Sequence, residues 1–185
     1  MKRALIVMAA AALLAASVFL AVMAALIGNT GPNTLIVRAA EESFSEGHAL
    51  LWPVRDSGPG DLTDLFGYRV HPLTGTVSFH SGIDIGAYMG TEVLAASSGT
   101  VIRTGYHFSY GNYIIMEAGT DPAGRSMRFL YAHLSGFACS SGEKVSRGDV
   151  IGYVGSTGDS TGPHLHFEVS LGGETVDPMD YFSNE

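Results

Sequence analysis

One cysteine, Cys139, is all that the chain of 185 residues contains, so no disulfide can form within it and its stability does not rest on stapling. Positive charge is scarce as well: 10 Lys and Arg stand against 18 Asp and Glu, a net charge of −8. That balance excludes nucleic acid as the main partner, because phosphate binding needs clustered Lys and Arg. After Gly28 no segment carries a helical repeat of apolar residues. There is also no HExxH, so no helix-borne Glu stands beside a pair of His in the manner of many zinc proteases.

What is abundant is apolar surface, glycine and histidine: 46% hydrophobic residues, 24 Gly and 7 His, with a mean hydropathy of +0.21. The hydropathy has a single source. Lys2 and Arg3 precede an apolar run from Ala4 to Ile27 in which Ser17 is the only polar residue. As a helix this run reaches about 36 Å, enough to cross a hydrocarbon core of about 30 Å. Its positive flank predicts a cytoplasmic N-terminus and export of all that follows. Residues 1–28 are therefore expected to be a signal peptide, with Val22, Met23 and Ala24 near a cleavage site, or an uncleaved transmembrane anchor, which the length of the run favours. Residues 29–50 mix Gly, Asn, Thr and Pro with Glu41, Glu42 and Glu46 and read as a tether. From Glu41 onward there are 7 basic and 18 acidic residues, a balance of −11, so the exported part is more acidic than the whole. The expected location is extracytoplasmic, with membrane contact through the N-terminal helix if it is uncleaved.

From Leu51 the chain turns to short β-rich runs between Gly and Pro signals, and residues 51–183 are expected to form one domain. Strands are predicted at Glu92–Ala95, Thr100–Thr104, Asn112–Glu117, Met127–His133, Val150–Val154 and Leu165–Ser170. Asp121 to Gly124 and His71 to Gly75 carry turn chemistry. The fold class is mostly β, a two-layer antiparallel sheet after one N-terminal hydrophobic helix.

Four histidine and aspartate positions fit strand periodicity. His80 and Asp84 are four apart and His164 and His166 two apart, spacings that share one strand face, while Leu165, Phe167 and Val169 fill the face opposite the second pair. Two imidazoles and a carboxylate suit zinc with an open position for water, His80, Asp84 and one of His164 or His166 supplying it. His133 ends an apolar strand before Leu134, Ser135 and Gly136, a corner where catalytic groups are often placed. A neutral imidazole near such a metal is suited to take a proton near pH 7. His48, His71 and His107 are assigned to surface or packing roles. The glycines from Gly152 to Gly162, with Ser and Thr between them, suit a groove wall that an extended peptide approaches closely.

These residues resemble the M23 family of zinc endopeptidases, the lysostaphin-like or LytM-type enzymes of bacterial cell walls. The resemblance runs from Phe66, Gly67, Tyr68 and Arg69 through His71, Pro72, His80, Gly82 and Asp84 to Tyr131, Ala132, His133 and Leu134. It continues through Gly148, Asp149, Gly152, Gly155 and Thr157 into Gly162, Pro163, His164, Leu165, His166, Phe167 and Glu168, and ends at Val176, Asp177 and Pro178. The resemblance implies a LytM-type peptidase domain with zinc ligands His80, Asp84 and His166 and catalytic His133 and His164. It further implies the peptide stems of peptidoglycan as substrate and hydrolysis of peptide cross-links as reaction. Asn29 and Asn33 are not assigned the latency role that a preceding Asn plays in some relatives, and Cys139 is assigned to packing.

Two rivals stand beside this reading. Gly158, Ser160 and Gly162 match GxSxG, but the nucleophile elbow needs a helix after the serine and Pro163 with an alternating pattern follows instead. The other is a membrane-anchored, zinc-binding scaffold or hydrolase activator that binds peptidoglycan without turnover.

Overall fold

Alternating apolar and polar residues, cut by glycines into runs of two to ten, build a β protein in the computed structural model, which describes residues 50–70, 75–120 and 124–182. The leader, most of the tether, the turn residues His71–Thr74 and Asp121–Ala123, His48, Asn29 and Asn33 lie outside the described residues. Among the described residues no helix is long and apolar enough to cross a membrane.

In chain order the strands are β1 (Leu62–Asp64), β2 (Gly67–Val70), β3 (Val77–His80), β4 (Ile83–Gly86), β5 (Glu92–Leu94), β6 (Gly99–His107) and β7 (Gly111–Thr120). They continue with β8 (Ser126–Leu134), β9 (Gly136–Phe137), β10 (Lys144–Val145), β11 (Val150–Tyr153), β12 (His164–Leu171) and β13 (Glu174–Val176). Two 3-10 turns, Pro59–Asp61 and Pro178–Tyr181, are the helical pieces among the described residues. Every strand pairing is antiparallel. The large sheet has the order β1-β4-β12-β8-β7-β6-β10, with β13 also paired to β12; a second sheet is β5-β11-β9, and β2 and β3 form a separate hairpin.

β12 shows how the sequence divides the large sheet into two faces. Leu165, Phe167 and Val169 are fully buried and pair with Ile85 and Ile83 of β4 and with Tyr131 and Phe129 of β8. They meet Val93, Ile151 and Val154, from and beside the second sheet, in one core. Each such side chain contributes about 1.5–3 kcal/mol by leaving water. The buried Tyr131 hydroxyl accepts the Ala96 N–H at 3.0 Å, and burial raises its pKa well above the ordinary tyrosine value. Cys139 joins this core, where burial and the nearby Glu143 push its thiol up to about 11, which fits the packing role expected of it.

All six predicted strands form, several of them longer than expected. The expectation that His80 and Asp84 share one strand is corrected. His80 ends β3, which among the described residues pairs only with β2, and Asp84 lies in β4, which pairs with β1 and β12; Ser81 and Gly82 turn the chain between them. The turn is tight because a Cβ at Gly82 would lie 2.3 Å from the Phe167 carbonyl oxygen, so only glycine lets β3 run into β4 across β12. Strands β1, β9, β10 and β13 are two or three residues long and carry too few alternations to be read without their partners.

Candidate metal centre

The polar face of β12 carries His164, His166 and Glu168 in succession, as the two-residue period requires. Its neighbours are set by register: His166 lies opposite Asp84 of β4 on one side and Ala132 of β8 on the other, and His164 lies opposite Gly86. His80 enters from the end of β3. One ligating atom from each of His80, Asp84 and His166 lies within 4.8 Å of the others. His166 Nδ1 is 2.8 Å from Asp84 Oδ1 and 3.1 Å from His80 Nε2, and His80 Nε2 is 3.2 Å from the same carboxylate oxygen. Of the two histidines left open by the strand spacing, the structure groups His166 with the pair and leaves His164 beside it, its Nε2 3.8 Å from Asp84 Oδ1.

The protons on these rings follow from their partners. His80, His133 and His164 each hold Nδ1 at 2.8 Å from a backbone carbonyl oxygen, of Leu65, Thr157 and Gly162 respectively. A carbonyl can only accept, so each Nδ1 carries the hydrogen and, in the neutral ring, each Nε2 is left as a bare lone pair. His166 is reversed: its Nε2 is 3.0 Å from the Glu168 carboxylate and its Nδ1 faces Asp84 and His80.

Electrostatics follow the geometry. Burial pushes the Asp84 carboxyl up, but hydrogen bonds to His166 and His80 and their charges outweigh it and hold the group far below the usual carboxylate range. Burial pulls the His166 imidazole down, yet Asp84 and Glu168 on its two sides raise it to about 9. Burial likewise lifts Glu168, and hydrogen bonds from His166 and Ser81, with the charge of His166 and the Tyr110 hydroxyl, bring it below its ordinary value. Tyr110 is pushed up to about 12 by burial and by Glu168, so its hydroxyl stays a donor. His133 is lowered, chiefly by burial and further by His164 and His166, which keeps it neutral near pH 7. Two imidazoles and one ionised carboxylate converging at these distances form a donor set that fits a divalent metal ion; such an ion would displace the second proton of His166.

His133 arrives by an irregularity. Phe129 and Tyr131 face the core, and continued alternation would send His133 the same way. Instead Asn112 pairs with Leu134 while Ile114 pairs with Tyr131, so Tyr113 alone stands opposite both Ala132 and His133. This bulge, with a left-handed His133 backbone at φ 61°, turns the ring to the polar face, its centroid 4.6 Å from that of His164 and 5.9 Å from that of His166. Such a backbone costs about 1–3 kcal/mol in a non-glycine residue. It is held by the His133 N–H donating to the Tyr110 carbonyl at 2.8 Å and by the ring donating to Thr157.

The loop that carries Thr157 owes its place to glycines. A Cβ at Gly155 would lie 2.3 Å from the Ser135 nitrogen and 2.6 Å from the His133 oxygen, and one at Gly158 2.2 Å from the Gly111 nitrogen. These two glycines therefore admit this chain's own backbone, as does Gly152, whose Cβ would lie 2.9 Å from the Gly136 carbonyl oxygen; the groove wall expected of these four glycines keeps only Gly162 open. Gly155→Ala is expected to lower unfolding free energy by about 1–3 kcal/mol through overpacking, read from urea denaturation. Ser160 donates to the Gly162 carbonyl at 2.9 Å in this loop, and strand β12 follows, so no nucleophile elbow forms.

Glu168, Ser81 and Tyr110 were not singled out from the sequence as functional. The signal for Glu168 was its place two residues after His166 on the same strand face; Ser81 and Tyr110 reach it only through folding.

Residues 78–178 match the model of peptidase family M23. The DD-carboxypeptidase/endopeptidase Mpg of Neisseria meningitidis is 44% identical over 118 residues, 64% of this chain and 26% of that protein. The peptidoglycan DD-endopeptidase ShyA of Vibrio cholerae is 40% identical over 111 residues, 60% of this chain and 25% of that protein. The chain thus spans about a quarter of the length of these relatives. Among solved structures, a zinc containing peptidase from Vibrio cholerae superposes with a TM-score of 0.62 at 35% identity, over 71% of this chain and 39% of that one. The matched segment contains all of His80, Asp84, His133, His164 and His166, and with it the chain belongs to peptidase family M23.

Proposed function

We propose that the chain is a zinc endopeptidase that hydrolyses peptide cross-links of bacterial peptidoglycan. The observation that carries this is the convergence of the His80, Asp84 and His166 donors beside two further histidines whose Nδ1 atoms are held by backbone carbonyls, leaving Nε2 for the site. Support for the substrate comes from the family and from relatives named as DD-endopeptidases. In this reading residues 51–183 are the peptidase domain, 29–50 its tether and 1–28 the leader that delivers it to the cell envelope.

His80, Asp84 and His166 would hold the zinc. When bound, zinc supplies Lewis acidity, bringing the pKa of water from about 15.7 toward about 7 and polarising a carbonyl. His164 takes the proton of the attacking water at Nε2, its Nδ1–H staying on the Gly162 carbonyl. His133 donates to the developing oxyanion from Nε2. Because its Nδ1–H is committed to Thr157, it does so only as an imidazolium, taking a proton from solvent before attack and returning it as the oxyanion collapses. His164 then returns its proton to the leaving amine as the C–N bond breaks. An open cavity of about 700 Å³ lies at the β4–β12 end beside His164, lined by Arg55, Asp56, Asp61, Tyr88 and Pro163 among others. It offers both charge signs to a peptide stem leaving the histidines.

The test is digestion of purified peptidoglycan by the full chain, with muropeptides resolved by mass spectrometry. Loss of cross-linked dimers and gain of monomers with new free termini is expected, abolished by a chelator and restored by zinc. A protein that binds stoichiometric zinc and leaves the dimers intact would replace this reading with the scaffold or activator.

A further inference from the structure

A buried carboxylate that no step above uses sits behind the metal ligands. Glu168 is only 8% exposed, and its Oε1 collects three donors: His166 Nε2–H at 3.0 Å, the Tyr110 hydroxyl at 3.0 Å and the Ser81 hydroxyl at 2.5 Å. Burying a carboxylate is costly unless it is multiply hydrogen-bonded, and three donors on one oxygen meet that requirement.

The three donors come from separate segments, each tied to the site. His166 is a ligand candidate on the same strand. Ser81 directly follows His80 and lies in the tight turn whose Gly82 would, with a Cβ, meet Glu168 Cγ at 3.0 Å. Tyr110 lies between β6 and β7, its carbonyl accepts the His133 N–H, and its ring lies 5.9 Å from that of His166. One oxygen atom therefore joins β12, the β3–β4 turn and the Tyr110 segment.

We propose that Glu168 is a positioning residue: by accepting the His166 Nε2–H it fixes the tautomer that leaves Nδ1 as the ligating atom, and by accepting from Ser81 it holds the turn that presents His80. His166 thus differs from His80, His133 and His164, which hold Nδ1 on backbone carbonyls: it would present Nδ1 to the metal, and a carboxylate is the partner that enforces it. The inference rests on the metal reading of His80, Asp84 and His166.

Zinc affinity of the full chain, measured by competition with a chromophoric chelator at fixed pH, tests it. Glu168→Gln, close to isosteric, is expected to weaken binding about 10- to 100-fold, and Ser81→Ala and Tyr110→Phe by less, with folding of each variant checked by circular dichroism. Binding by Glu168→Gln within about threefold of the parent overturns the positioning role while leaving the metal site standing. Failure of the parent chain itself to bind zinc overturns both. Should Glu168→Gln not fold, long-range 1H–15N spectra of the zinc-loaded parent decide independently. A proton on His166 Nε2 supports the proposal; a proton on Nδ1 overturns it.

Discussion

Asp84→Ala is expected to lose stoichiometric zinc and, with it, all measurable cleavage of cross-linked muropeptides. Asp84 Oδ1 lies 2.8 Å from His166 Nδ1 and 3.2 Å from His80 Nε2, so its removal leaves two imidazoles with no anionic donor between them. Three protein ligands with one open position is the usual arrangement for catalytic zinc, and two do not hold the ion tightly. The loss should exceed the 10- to 100-fold typical of outer partners such as that proposed for Glu168. The fold should survive, because the side chain stands on the polar face of β4 while Ile83 and Ile85 hold the strand to the core. Elemental analysis of the purified variant and a digestion assay read the two effects. Stoichiometric zinc in Asp84→Ala would remove this residue from the ligand set.

His133→Ala and His164→Ala should show the opposite combination, a full complement of zinc with turnover reduced by about 10²–10⁴-fold. Neither ring is needed to complete the metal group, since the three ligating atoms converge without them, yet both present Nε2 to the polar face. The pair stands with ring centroids 4.6 Å apart, close enough to serve opposite ends of one scissile bond. His133→Ala has a second expected effect. Alanine would relieve part of the left-handed strain at φ 61° only by abandoning the bulge, so its stability is expected to change little while its activity collapses. Metal content, unfolding free energy and kcat measured on the same preparations separate these roles. Full activity in either variant would end its assignment to catalysis.

A large part of this protein is legible before folding. The strand segments carrying β5, β6, β7, β8, β11 and β12 follow from β-branched and aromatic runs bounded by glycine, because such runs bury one or both faces of a sheet over enough residues to show. The same alternation sorts Leu165, Phe167 and Val169 from His164, His166 and Glu168. The short strands are different: β1, β9, β10 and β13 exist because neighbouring strands offer unpaired backbone groups, and nothing local in two or three residues records that.

By itself, then, the sequence determined the class of fold, the residue types available for a metal and the family motifs that hold them, since these depend on composition and on periods within single segments. Strand spacing left both His164 and His166 open and the family resemblance pointed to His166; tertiary structure places it opposite Asp84 through the register of β12 against β4. Likewise, it set His80 and Asp84 on two strands rather than one, since Gly82 turns against the Phe167 carbonyl. It also decided how His133 reaches the site, because a bulge reverses the side-chain parity that the strand pattern implies. And it assembled Ser81, Tyr110 and His166 around one oxygen of Glu168, a contact among residues up to 87 positions apart that only the packing of the β3–β4 turn and the Tyr110 segment against β12 brings within hydrogen-bond reach.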